Sequence, residues 1–217
     1  MFFKDKYDEQ HVREELVHEI IEYGKLCGTK NFTPGYSGNI SARYQEGMLI
    51  TTSGSANGYL EEKDIVHTDF EGNSLEKGEK PSSEKFLHIA IYQKRPEFNY
   101  IIHVHAPYLS SFASSGKHLM QPIMAENVFY FGGIPLAPYA LPSSQELVNN
   151  TVPYFEKFDA VLMENHGFII GSKTIEDAYL KLELAEAYAQ TVINTQILGG
   201  AKQLSPEQEQ AILALRG

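Results

Sequence analysis

The run YIIHVHAPY, Tyr100 to Tyr108, limits what this chain can become more sharply than any other stretch. Its apolar start reads as a β-strand, and side chains two apart on a strand share a face. His103 and His105 therefore present their imidazoles on one side and can converge on a single point. Two readings fit that pattern: a pair of metal ligands, or two hydrogen-bonded surface histidines. Further ligands elsewhere in the chain decide between them.

At 217 residues the chain lies within the range of one compact α/β unit. No Pro/Ser-rich linker or block of charge interrupts it, so residues 1–217 are expected to form one domain. A net charge of −10, with no Lys/Arg cluster, argues against a nucleic-acid partner, because binding a phosphate backbone needs a basic face. A small anion needs only a few local donors and stays open. The one cysteine, Cys27, can form neither an intramolecular disulfide nor a thiolate-rich zinc site, which fits a reducing compartment. Charges break up the MFFKDKYDEQ start where a signal peptide needs an apolar core, and no run of about 18 apolar residues follows. The expectation is a soluble cytoplasmic protein without a membrane segment.

Val12, Leu16, Ile20 and Ile21 have helical spacing, and the helix they define is expected to stop near Gly28. A glycine-punctuated turn, TPGYSGNISAR, leads into short strands around GMLITTSG and DIVHTDFEGN, with His67 an ordinary strand residue. PSSEKFLHIAIYQKR has the pattern of a serine-capped helix with one buried stripe. After YIIHVH come a helical PYLSSFASS, a loop and short strands through GGIPLAPYA, and SSQELVNNTVPYF, where Ser143 and Glu146 have capping-box spacing. FDAVLMENHGFIIGS gives two strands joined at Asn165, His166 and Gly167. The long apolar helix IEDAYLKLELAEAYAQTVINTQIL ends at Gly199 and Gly200, and Ser205, Pro206 and Gln208 open a last short helix. Helices and strands do not alternate regularly, so the expected fold is mixed α/β with a largely antiparallel sheet.

A catalytic zinc-type site takes three or four N/O ligands and leaves a position for substrate. Beyond His103 and His105, His166 in MENHGF can project from a strand end, beside a glycine that lets the backbone turn; taken singly it reads as a turn histidine. Glu84 stands at a helix start after two serines, where exposed N–H groups and the helix dipole favour anions. In isolation that segment is a capping cluster of Ser82 or Ser83 with the helix end. His88, one turn on, shares the Glu84 face and is either a competing ligand or a buried supporting residue. Gly38 and Asn39 in YSGNIS, and Thr52, Ser53 and Gly54 in ITTSGS, resemble phosphate cradles, because small residues let N–H groups approach an anion; each alone is a common turn.

Order and spacing join these fragments. SGNIS, ITTSG, PSSE, HVHAPY, IPLAPYA and ENHG follow one another as they do in the class II sugar-phosphate aldolase and adducin-head family. From about residue 10 to 200 the chain resembles that family, and above all its L-fuculose-phosphate aldolase branch.

The resemblance implies a three-layer α/β/α fold around a mostly antiparallel sheet. It implies zinc ligands Glu84, His103, His105 and His166, one ion per subunit, and a substrate-phosphate pocket of Gly38, Asn39, Ser53, Gly54, Ser82 and Ser83. It also implies a homotetramer with active sites between subunits. The implied reaction is cleavage of L-fuculose 1-phosphate, or a close ketose 1-phosphate, to dihydroxyacetone phosphate and a short aldehyde such as L-lactaldehyde. There a metal takes the role that a Schiff-base lysine has in other aldolases, spreading the charge of an enediolate. Glu84, displaced from the metal by substrate, then moves the proton at the carbon acid.

The 4-epimerases resemble this pattern with Asp at the position of Glu84, so SSE favours an aldolase. An L-ribulose-5-phosphate 4-epimerase, a dehydratase of a 5-modified ribulose 1-phosphate and a non-catalytic adducin-like binding module are the alternatives. The family's tyrosine proton donor, supplied by a neighbouring subunit, has no unambiguous counterpart. MQPIMAENVFYFGG is shorter than the corresponding segment and offers Glu126 or Tyr130. A Glu126 donor needs a raised pKa, which burial beside apolar neighbours supplies. The C-terminal LALRG lacks the tyrosine that some members place over the site.

Overall fold

Short β-branched runs separated by glycine turns pair into one seven-stranded sheet. In the computed structural model, which describes residues 2–78 and 80–216, with side chains from Glu9 onward, the strands are β1 (Asn39–Tyr44), β2 (Gly47–Thr51), β3 (Ile65–Asp69), β4 (Tyr100–Val104), β5 (Leu136–Ala137), β6 (Ala160–Met163) and β7 (Gly167–Ser172). Their order across the sheet is β3-β2-β1-β4-β7-β6-β5, and every pairing is antiparallel except that of β5 with β6.

Helices cover both faces. α1 (Phe2–Thr29), α3 (Pro107–Ser114) and α6 (Ile175–Ile197) pack on one side, and α2 (Lys85–Lys94) and α5 (Gln145–Thr151) on the other. α4 (Ala125–Phe131) and α7 (Pro206–Leu213) pack on each other, α4 also against α6. Strand alternation sorts the core accordingly. Ile40, Ala42, Ile102, Val104, Phe168 and Ile170 enter the cluster under α1, α3 and α6, whereas Met48, Ile50, Ile101, Val161 and Ile169 enter the one under α2 and α5. β4 and β7 are buried at every position because helices cover both of their sides. The result is the expected mixed α/β arrangement, three layers around a mostly antiparallel sheet.

Some local expectations shift. α1 begins at Phe2, and the left-handed residue that follows it is Asn31 (φ 60), whose short polar side chain tolerates that conformation; Gly28 is still within the helix. Ser144, not Ser143, is the N-cap of α5, its Oγ accepting from Leu147 N at 3.1 Å. Ser143 instead takes the left-handed conformation just before it, at φ 67. The MQPIMAENVFYFGG stretch contains a helix, α4, which buries Asn127, Val128 and Phe131 and ends at a left-handed Gly132. α7 opens as its sequence indicates, with Ser205 Oγ accepting from Gln208 N and Gln208 Oε1 from Ser205 N. Among the described residues no helix is long and apolar enough to cross a membrane.

Candidate active site

His103 is the last but one residue of β4, and alternation directs it to the same side as Ile101, toward α2. His105 lies just past the strand end, its backbone N–H bonded to Phe32 O at 3.0 Å. The tight turn from Glu164 to His166 between β6 and β7, with Asn165 at φ 53, brings His166 alongside. Glu84 stands at the start of α2, and its side chain makes no cap bond there; Ser82 Oγ serves the turn by accepting from Glu84 N at 3.2 Å. The carboxylate turns to the histidines instead. Glu84 Oε2 is 3.1 Å from His103 Nε2, Glu84 Oε1 is 3.2 Å from His166 Nε2, and the Nε2 atoms of His103 and His105 are 3.2 Å apart.

These separations suit one divalent ion. With metal–ligand bonds of about 2.0–2.1 Å, neighbouring ligand atoms on a tetrahedral zinc stand about 3.3 Å apart. One nitrogen from each imidazole lies within 4.8 Å of the others. Burial first, then the adjacent imidazoles, lower His105 to about 3 and His166 to about 4, so both rings keep a lone pair free for a metal near neutrality. Burial pushes the Glu84 carboxyl upward, but His103, His166 and the Asn39 amide, 3.2 Å from Oε2, outweigh it and hold the group well below the usual carboxylate range. Glu84 Oε1 is buried without hydrogen-bond geometry to any neighbour, an orphan that a cation would satisfy. His103 Nδ1, 3.0 Å from Phe168 O, donates to it, which orients Nε2 toward the cluster. The donor set therefore fits a divalent metal.

The four groups lie in a cleft of about 200 Å³, room for a small metabolite and not for a folded partner. Gly38, Asn39, Ser53, Gly54, Ser82 and Ser83 line the same space. Gly38 has φ 75, and a Cβ there would stand 2.4 Å from His103 O, so only glycine lets β1 start this close to the end of β4. Glu126 and Tyr130 are elsewhere: both are exposed on α4 and neither lines the cleft of its own chain, so the burial expected around Glu126 is absent within that chain. Tyr36 and Ser143, neither expected in the site and Ser143 expected only to cap a helix, also line it. Their loops carry only turn signals, so nothing in the pattern marked them. His88 reaches Asn39 Oδ1, 2.5 Å from its Nε2, rather than the cluster. The i, i+4, i+8 spacing of Glu84, His88 and Tyr92 was the available sign that one helix face serves the site.

Three imidazoles and a carboxylate gathered beneath a hydroxyl-rich cleft, at one end of a mixed sheet, define a metal-dependent enzyme class. Residues 18–193 match the model of the Class II Aldolase and Adducin N-terminal domain family, and the chain belongs to it. The class II aldolases of that family are metal-dependent aldehyde-lyases, and this chain is one of them. A 5-deoxy-D-ribulose 1-phosphate aldolase of Bacillus thuringiensis serovar kurstaki is 35% identical over 199 residues, covering 90% of this chain and 92% of that protein. The L-fuculose phosphate aldolase of Escherichia coli K12 is 33% identical over 185 residues, 84% of this chain and 85% of that protein. A solved L-fuculose 1-phosphate aldolase superposes with a TM-score of 0.86 at 28% identity, over 93% of this chain and 95% of the other.

Proposed function

We propose that this chain is a zinc-dependent aldolase that cleaves L-fuculose 1-phosphate, or a close ketose 1-phosphate such as 5-deoxy-D-ribulose 1-phosphate, to dihydroxyacetone phosphate and a short aldehyde. The observation that carries this reading is the convergence of Glu84, His103, His105 and His166 within one cleft of small and hydroxyl-bearing residues.

Glu84, His103, His105 and His166 would hold the zinc ion, which when bound supplies the Lewis acidity that disperses charge left on the ketone fragment. Gly38, Asn39, Ser53, Gly54, Ser82 and Ser83 take the phosphate, because hydroxyls and the backbone N–H groups of left-handed turns suit an anion. Glu84 is ionised and buried, with one oxygen free of hydrogen bonds. Freed by substrate, its carboxylate removes a proton from the ketone fragment in synthesis; in cleavage, the reverse of that step, the protonated carboxyl gives the proton back and Glu84 ends ionised. Aspartate would be one methylene shorter and less able to swing to the carbon, so Glu84 favours the aldolase over a 4-epimerase in the same site. Glu126 or Tyr130 of a neighbouring subunit supplies the proton for the aldehyde oxygen in synthesis and takes the hydroxyl proton from that oxygen in cleavage, since both are exposed and outside their own chain's cleft. The reading is therefore of a cytoplasmic homotetramer, each chain one domain with its site shared between subunits.

The test is dihydroxyacetone phosphate release from both ketose 1-phosphates, before and after chelation and zinc add-back. Release restored by zinc supports the proposal. Zinc-loaded protein that releases none but epimerises L-ribulose 5-phosphate would replace it with the epimerase, and a chain that takes up no zinc would leave the binding module.

A further inference from the structure

The Glu84 carboxylate is one end of a buried hydrogen-bond chain that runs away from the cleft. Along β1, Asn39, Ser41 and Arg43 share a face; along α2, Glu84, His88 and Tyr92 share one. Two strand residues advance about 6.6 Å and four helical residues about 6 Å, so the two rows stay in step. Asn39 Nδ2 donates to Glu84 Oε2 at 3.2 Å, and His88 Nε2 lies 2.5 Å from Asn39 Oδ1. Ser41 Oγ lies 2.7 Å from His88 Nδ1 and 2.8 Å from the Tyr92 hydroxyl. Arg43 closes the far end, donating to Tyr92 O at 3.0 Å with its guanidinium 4.7 Å from the Tyr92 ring centroid. Ser41 and His88 are fully buried, so no water competes for these bonds.

With His88 neutral, as full burial with no carboxylate against its ring favours, one set of proton positions satisfies the chain. An ionised carboxylate only accepts, so Asn39 must turn Nδ2 toward Glu84 and Oδ1 toward His88. Oδ1 also only accepts, so His88 must carry its proton on Nε2. Its Nδ1 is then the acceptor, Ser41 donates to it, and the Tyr92 hydroxyl, which also lies 3.3 Å from Asn99 O, gives its one proton to the nearer Ser41 Oγ at 2.8 Å. We infer that His88 is a positioning residue: as the Nε2–H tautomer it locks the Asn39 amide so that the amide N–H holds the Glu84 carboxylate beside the three histidines. Without a donor at position 88 the amide can flip, and a flipped amide sets its oxygen against the carboxylate and repels it. The kinetic consequence rests on the aldolase reading above; the proton arrangement does not.

Two measurements on the full chain test this. In the two-bond ¹H–¹⁵N spectrum of histidine-labelled, metal-free protein near neutrality, the His88 signal, assigned by its absence in His88→Gln, should show a protonated Nε2 and a bare Nδ1. A proton on Nδ1, or on both nitrogens, would overturn the inference. In turnover at saturating zinc, His88→Leu should lower kcat roughly 10- to 100-fold with KM and zinc content unchanged. His88→Gln, whose amide N–H can reach Asn39 Oδ1, should recover most of that loss. A Gln variant as slow as the Leu variant, an unchanged kcat in His88→Leu, or a fall in kcat that merely follows zinc loss would leave His88 a packing residue and overturn the inference. If the wild type releases no dihydroxyacetone phosphate, the aldolase reading fails and the tautomer alone decides the inference. The tautomer decides it also if His88→Leu does not fold.

Discussion

Replacing Gly167 with alanine should unseat His105 and lower both stability and zinc affinity. A Cβ at position 167 would stand 2.5 Å from Val104 O, 2.8 Å from His105 Cδ2 and 3.3 Å from His103 Cε1. Ordinary contact begins at 3.4 Å, so the methyl needs 3.4 − 2.5 = 0.9 Å from a backbone oxygen and 3.4 − 2.8 = 0.6 Å from an imidazole. Val104 pairs with Phe168 across β4 and β7 and is fully buried, so its oxygen cannot retreat without parting two central strands. The His105 ring, only partly buried, is what gives way. Overpacking a filled site costs about 1–3 kcal/mol. For a chain of this size that is a Tm lower by about 2–12 °C. A ring displaced by 0.6 Å also exceeds the roughly 0.2 Å tolerance of a metal–ligand bond, so zinc should be lost first. Thermal melts and zinc per chain after dialysis against a competing chelator read the two effects. Gly35→Ala is the control: its φ is 63 but nothing lies within 4 Å of the added Cβ, so it should show only the left-handed backbone cost of about 1–2 kcal/mol and keep its zinc. A Gly167→Ala protein that melts with the wild type and retains its zinc would refute the packing argument.

Glu84→Gln should lower kcat about 10²–10⁴-fold while the affinity for inorganic phosphate holds, because it removes the proton acceptor and leaves the cradle intact; equal losses in both would deny it the role of base. Glu126→Gln should depress turnover without releasing zinc, and an unaffected rate would pass the donor role to Tyr130, checked with Tyr130→Phe. Cys27 is fully buried and burial pushes its thiol up to about 12, so a disulfide reagent at mildly alkaline pH should label it only in denaturant. Labelling of the native protein would contradict that burial.

Periodicity carries much of the fold. β4, β6 and β7 are apolar runs bounded by turn residues, α6 is a 23-residue helix with a periodic apolar stripe, and α7 is announced by the Ser205–Gln208 box. Pairing between distant strands is not periodic, so the placement of β1 beside β4, Asn39 opposite His103, could not be read from either segment. β5 has two residues and no measurable period. Ser143 and Ser144 satisfy the same capping preference, and only the left-handed backbone at Ser143 makes Ser144 the cap. Glu126 and Tyr130 stayed unresolved for another reason: an exposed helix face is defined by whatever covers it, which one chain's pattern does not contain.

The candidate metal-binding groups were legible where their supports were not, and one geometric fact explains both. H-x-H is read within three residues, since a period of two needs no neighbour. The bond from His88 to Asn39 spans 49 positions and exists only once β1 has its register against β4 and α2 lies along β1. That register then determines everything near the carboxylate. Gly38 meets the carbonyl of His103, Asn39 meets Glu84 and His88, and Ser41 meets His88 and Tyr92. A slip of one residue along β1 would turn Ile40 toward Glu84 and send Asn39 and Ser41 into the apolar layer under α1 and α6. The slipped sheet would bury two unpaired polar side chains and strip the carboxylate of its amide, so stability and a preorganised site select the same register.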